Sequence, residues 1–386
     1  MPTLSRLPER MSMPPREHRR VALISGHYLR SKRQAGFHHL ARAYWRLGWE
    51  VAFVTAPISL LSRAKGDYRF EYPVMAEANR LVSVDERLTS FVLMTAVHPV
   101  NLRSSIANRL AEPFFARYAR TSLGRIGDFL RTADLIVFES SAALLLVDRV
   151  REISPRARLV YRVSDDVRQL HVHPIILRAQ ADAVPKFDLV SAPSRLMREA
   201  LAPYGPVEVH RHAVDKTAFD RESASPYRDD RPAAVFVGVS PVFDYDALAI
   251  AARVAPHVDF HLLGLRERDL SPNVIFHSEM PFEETIPYLQ HATMGLHLFP
   301  PSQAHRDGSL KISQYSYCRL PIVAPSYLDD TRPNLCLFEH GDEESIKAAV
   351  ERAERMPHAP EFADGVSSWE DLACLLAGDE KAERTG

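Results

Sequence analysis

The sequence predicts two consecutive α/β domains, each a doubly wound parallel sheet, facing one another across a cleft. Three observations carry this. The chain has 386 residues, a length that favours two domains over one. It opens with strand, helix, glycine and strand between residues 20 and 55, the pattern of a βαβ unit with parallel strands. After a Pro/Gly-containing stretch at 203–206, the alternation of apolar runs with helical patterns starts afresh.

Taken in order, residues 1–19 are rich in Pro and Arg and are expected to be a disordered tail. Residues 21–25 form an apolar strand closed by Gly26. Phe37, Leu40, Ala43, Tyr44 and Leu47 recur at helical spacing and stop at Gly48. "WEVAFVT" is the next strand. "ADLIVFES" (133–140), "ARLVYRVSD" and "FDLVSAPS" (187–194) continue the strands, with helical patterns after the first and third. The first domain is placed at 20–207 and the second at 208–365. The second starts its alternating set at "AAVFVGVS" (233–240), and the helix within 366–386 is a candidate to return to the first domain.

Composition narrows the function. The 48 Lys and Arg nearly cancel the 49 Asp and Glu, so nucleic acid is not an expected partner. Cys318, Cys336 and Cys374 share no short spacing, which gives neither a disulfide framework nor a metal knuckle and fits a reducing compartment. The basic start lacks an apolar segment after it, and no window nears the ~18 apolar residues of a membrane span. A soluble or peripheral intracellular protein is expected.

In open α/β sheets ligands bind beyond the carboxyl ends of the strands. The residues after strands are therefore the candidates. "HRDGSLKISQYSYCRLPIVAP" (305–325) holds Lys311 and Gln314 on one side of a short helix that runs into a strand. Ser309 is a candidate cap, with Asp307 as the alternative. "LVYRVSDD" ends a strand with Asp165 and Asp166, and paired acids raise one another's pKa, which suits a base. An aspartate just after a strand is also a favoured helix cap, and Lys311 with Gln314 also reads as a solvated face.

Ser309, Lys311, Gln314, Tyr315, Leu320, Pro321 and Val323, with the βαβ opening and the glycine-bearing "FVGVS", resemble the nucleotide-sugar glycosyltransferases built of two Rossmann-like domains, the GT-B type. Gln314 stands where the common motif has an acid, and Arg319 where it has Gly. The amide version, with "ADLIVFES" and "YRVSDD", is similar to the UDP-glucuronate:glycolipid β-glucuronosyltransferases of xanthan-type exopolysaccharide pathways. The resemblance implies an inverting, metal-independent transfer to a polyprenyl-pyrophosphate-linked oligosaccharide, with no cofactor. It makes Asp165 the base, with Asp166 as substitute. It makes Glu279 a contact of the donor's uracil or ribose, and places Lys311, Gln314, Ser309, Leu310 and Phe299 at the donor. Backbone amides at Gly238, Val239 and Ser240 offer a rest for a base or phosphate. Glu279 as a surface acid and Phe299 as core filler are the plain alternatives.

Two basic segments remain. Arg30, Lys32 and Arg33 in the first loop are candidates to meet the acceptor's pyrophosphate or lipid head groups, as well as a solvated loop. Leu102, Ile106, Leu110 and Phe114 recur at helical spacing beside Arg103, Arg109, Arg117 and Arg120, a pattern that suits an anionic membrane surface as well as a helix covering the sheet. The expected place is the cytoplasmic face of the inner membrane. His171 and His173, with only Asp165 and Asp166 upstream, make a thin metal case, so no metal is assigned. A retaining enzyme with another sugar, and a silent nucleotide-sugar-binding protein, are the rival readings.

Overall fold

The computed structural model describes residues 18–379 apart from 33, 169, 241 and 302–308. Nearly all of the expected tail, Arg33 and the alternative cap Asp307 lie outside the described residues.

The first sheet has eight strands: β1 (Arg20–Ser25), β2 (Glu50–Ser59), β3 (Leu81–Asp85), β4 (Leu88–Thr95), β5 (Leu135–Phe138), β6 (Arg158–Arg162), β7 (Leu189–Ala192) and β8 (Glu208–Val209). Their order is β3-β4-β2-β1-β5-β6-β7-β8. Every neighbouring pair is parallel except β3 with β4. The second sheet has β9 (Ala233–Val237), β10 (Asp259–Leu263), β11 (Val274–His277), β12 (Met294–Leu296), β13 (Ile322–Pro325) and β14 (Leu335–Phe338), in the order β11-β10-β9-β12-β13-β14.

The central strands are apolar on both faces because helices cover both sides. Val21, Ala22, Leu23 and Ile24 of β1 illustrate this: Val21 and Leu23 join one core layer and Ala22 and Ile24 the opposite one. The antiparallel β3–β4 hairpin was not read from the sequence. β3 is an edge strand whose residues are mostly exposed, so it carries little of the apolar alternation that identifies a buried strand.

One boundary differs from the sequence reading, and the last helix takes the place it was a candidate for. β8 pairs with β7, Ser191 beside Glu208 and Ala192 beside Val209. The first sheet therefore runs past 207, and the division falls between Val209 and Ala233. Two paired residues are too few to show their allegiance in a sequence. The helix Trp369–Ala377 lies on the helix Gly36–Arg46 and buries Trp369, Leu372 and Leu376 in the core of the first sheet. Where the chain leaves the first domain it runs beside the segment by which it comes back. Val214 N–H donates to the Ser367 carbonyl (3.0 Å), and Trp369 N–H to the Val214 carbonyl (3.2 Å).

The helix Leu310–Tyr317 is held down by Tyr315, whose ring covers Gly295 of β12. A Cβ on Gly295 would stand 2.6 Å from that ring. Gly295→Ala is expected to cost ~1–3 kcal/mol by overpacking. The change would appear as a lower urea midpoint at unchanged slope.

Candidate active site

The carboxyl ends of both sheets meet a cavity of about 330 Å³ between the domains. His27, Glu139, Ser164 and Asp165 line it from the first domain. Ser309, Leu310 and Lys311 line it from the second. Asp165 and Lys311, 146 positions apart in the chain, thus share one space.

The acidic wall is built by the ends of β1, β5 and β6. Glu139 is buried, and its Oε2 accepts from Ser25 Oγ (2.5 Å) and Gly26 N–H (2.9 Å). Its Oε1 accepts from Ser164 Oγ (3.0 Å), and His27 Nε2 stands 3.7 Å away. Ser140 Oγ accepts from Ser164 N–H (3.1 Å) and bonds Tyr161 Oη (3.0 Å), which fixes the turn that presents Asp165. Asp165 opens into the cavity, yet the protein around it removes much of its water. That burial raises its pKa, the Glu139 charge raises it further, and His27 opposes both. Burial also raises Glu139, against the three bonds it accepts, and lowers His27.

Asp166 is turned elsewhere. Its carboxylate takes the Arg168 guanidinium at 2.6 Å and is not on the cavity lining. A partnered acid makes a poor proton acceptor, and of the two aspartates it is Asp165 that opens into the cavity.

The cationic wall comes from the helix Leu310–Tyr317. Lys311 has no carboxylate within ion-pair reach among the described residues, and burial pulls its pKa down to about 8. Its Nζ lies 5.1 Å from the centre of the Phe236 ring. Gly238, at φ +128°, leaves room for it: a Cβ there would stand 3.1 Å from Lys311 Cε. Ser309 takes the cap position, but its hydroxyl caps nothing and is buried without a partner among the described residues. A buried hydroxyl, a lysine and a helix N-terminus together suit an anion.

Other predicted site residues scatter. Gln314 is buried on the same helix, off the cavity lining, and its side-chain amide finds no hydrogen-bond partner among the described residues. Phe299 belongs to the second core, 4.8 Å from His297 and 6.2 Å from Phe236 between ring centres, and does not line the cavity. Its aromatic bulk serves packing there. Leu310 is on the lining, whereas Val239 is exposed and Ser240 Oγ accepts from Val242 N–H. Glu279 and Lys32 face a second cavity of about 540 Å³, with Tyr72 and Met280. Arg30 is not a free cation: buried Glu77 takes its guanidinium. His173 caps the helix Pro174–Ala183 and bonds the Asn108 carbonyl, a structural post. No group of three metal-ligating side chains is placed to hold an ion among the described residues.

The sequence reading missed Glu139, His27, Arg162, His212 and Trp369, all on the cavity lining. Glu139 and His27 both follow strands, the same signal that singled out Asp165.

The chain is 30% identical over 341 residues to the UDP-glucuronate:glycolipid 2-beta-glucuronosyltransferase of Xanthomonas campestris pv. campestris, covering 87% of this chain and 84% of that one. It belongs to that glucuronosyltransferase family. The model of the N-terminal domain of glucuronosyltransferase GumK matches residues 23–193, which run from within β1 through β7 and include Asp165. Solved structures agree on the fold of this family member. HepE of Anabaena, in complex with UDP and glucose, superposes with TM-score 0.57 at 16% identity over 93% of this chain and 95% of that one. Trehalose-6-phosphate synthase OtsA gives 0.58 at 12% identity over 93% and 96%. The chain is a glycosyltransferase with the GT-B architecture of two Rossmann-like domains.

Proposed function

We propose that this family member is an inverting, metal-independent glucuronosyltransferase that moves glucuronate from UDP-glucuronate to a polyprenyl-pyrophosphate-linked oligosaccharide in exopolysaccharide synthesis. The observation that carries the reading is the shared cavity of Asp165 and Lys311. The acceptor hydroxyl attacks C1 of the sugar and gives its proton to Asp165 as the C1–O bond to the diphosphate breaks. Lys311, the Ser309 hydroxyl and the helix N-terminus receive the charge that develops on the departing UDP. The diphosphate leaves without a proton, which accounts for a single carboxylate base. The test is a screen of UDP-sugars against a membrane lipid extract, followed by NMR of the product. UDP-glucuronate with a β-linked product is the expected outcome. An α-linked product, or transfer from another sugar alone, overturns it.

The lipid-linked acceptor needs the enzyme at a membrane face. No helix among the described residues is long and apolar enough to cross a membrane. The helix Ser105–Ala116 supports surface contact instead. It buries Asn108 and Phe115 against the protein and leaves Ile106, Leu110 and Phe114 exposed at 72%, 71% and 63%. Arg103, Arg109 and Arg117 flank that stripe in the sequence. The apolar stripe therefore does not cover the sheet, which was the plainer sequence reading. Ile106→Asp with Leu110→Asp is expected to weaken binding to anionic vesicles by at least about tenfold, since each buried apolar side chain is worth ~1.5–3 kcal/mol. The melting temperature should stay within a degree or two, because both side chains are already in water.

A further inference from the structure

The donor proposed above carries two anionic groups, a diphosphate and a sugar carboxylate. The cavity holds a second cation besides Lys311, and this one is buried. Arg162, at the end of β6, is 4% exposed and lines the cavity beside His212. Among the described residues it has no carboxylate in ion-pair reach. Its Nη1 donates to Ser191 Oγ (2.8 Å) and to the His210 carbonyl (2.7 Å). Among the described residues its Nη2 reaches only the Arg211 carbonyl, at 3.4 Å. No described residue accepts from Nε. The edge left over is the Nε–Nη2 edge, which takes a carboxylate side-on through two parallel bonds.

A buried guanidinium without a counter-ion is costly, and such groups are retained where something pairs them. Burial lowers the Arg162 pKa to about 10. His212 is held neutral, its pKa lowered to about 3 by burial and by the charges of Arg162, Arg332 and Lys311, so it sits within the field of both cavity cations. Glu139 and Asp165 stand on the same lining. A sugar carboxylate entering there meets two acids and needs a cation of its own, because Lys311 and the helix N-terminus serve the diphosphate.

We propose that Arg162 receives the carboxylate of the uronic-acid donor through its Nε–Nη2 edge, and with His212 beside it sets the preference for a charged over a neutral sugar. The proposal rests on the reading of the donor as a UDP-uronate. It concerns specificity, so its test reads discrimination and not activity alone. The full chain and Arg162→Gln are titrated calorimetrically with UDP, UDP-glucuronate and UDP-glucose. In the variant the Kd for UDP-glucuronate should rise about 30-fold or more, the loss that follows removal of one partner of a buried charge pair. The Kd values for UDP and UDP-glucose should stay within about threefold. An unchanged Kd for UDP-glucuronate, or equal weakening of all three ligands, overturns the proposal and leaves Arg162 as a tie between β6, β7 and the residues after β8. Should Arg162→Gln not fold, His212→Asp sets a competing carboxylate in the same corner. It should weaken UDP-glucuronate alone, and equal weakening of all three again overturns the idea. Turnover by the parent protein separates the two readings. Transfer from UDP-glucose and none from UDP-glucuronate sinks the donor assignment, whereas normal use of UDP-glucuronate by Arg162→Gln sinks only this one.

Discussion

Asp165→Asn removes transfer while UDP still binds. The expected loss in turnover is about 10²–10⁴-fold, the usual contribution of a positioned general base. The amide keeps the shape of the side chain and cannot take the acceptor's proton. Near-normal turnover would show that another group accepts it. The raised pKa of Asp165 adds two readouts. The base must be ionised, so the acid limb of kcat/KM lies above the ordinary aspartate value of ~3.9. Stability moves the opposite way. Between the unfolded and folded pKa values the native protein binds more protons, so stability falls as pH rises through that window. Asparagine escapes the penalty. The variant should therefore melt above the parent at neutral pH, and the difference should vanish below about pH 3.9.

Lys311→Met weakens UDP by about 10- to 100-fold, in line with ~1.5–3 kcal/mol for a hydrogen bond to a charged group. Methionine fills similar space against Phe236 and Gly238, so the loss isolates the charge. Lys311 titrates at about 8, within reach of ordinary assays. The affinity of the parent for UDP should fall as pH rises past 8, and binding near that pH should take up protons from the buffer. The variant should show neither effect. A pH dependence that survives the substitution would assign the diphosphate to another cation. The linkage for stability is again opposite to that of a raised acid. From about pH 8 to the unfolded lysine value of ~10.4, the unfolded chain binds more protons, so the parent gains stability as pH rises. The methionine variant should be the more stable of the two at pH 7.

Asp165 and Lys311 were legible in the sequence because their signals are local. One follows an apolar strand and the other opens a short helix before a strand, and each position implies the carboxyl edge of a parallel sheet. Glu139 carried the same signal, since it stands directly after the apolar run of β5. Arg162 could not be read this way. It lies inside "LVYRV", where alternation assigns it a face, but only the docking of the 210–212 segment makes that face a cavity wall. Trp369 reaches the site from the last helix, across more than 130 residues of the second domain, a contact that no window of sequence contains. Phe299 shows the converse. An aromatic at a strand end packs inward or faces a ligand with the same local pattern, and here it packs inward. Arg30 is a further case, since its partner Glu77 lies 47 residues away and neutralises what looked like a free cation.

The paired segments at Val214 and 367–369 have a mechanical consequence. Two chain connections running side by side and bonded to one another resist torsion, while bending about their common line remains easy. The lobes should then open and shut like a book on its spine. The ion pairs Arg195–Asp329 and Arg211–Asp330, which span the lobes beside that spine, would exchange partners with water at each turn of the page. Raised ionic strength should then favour the open form and speed the departure of spent UDP.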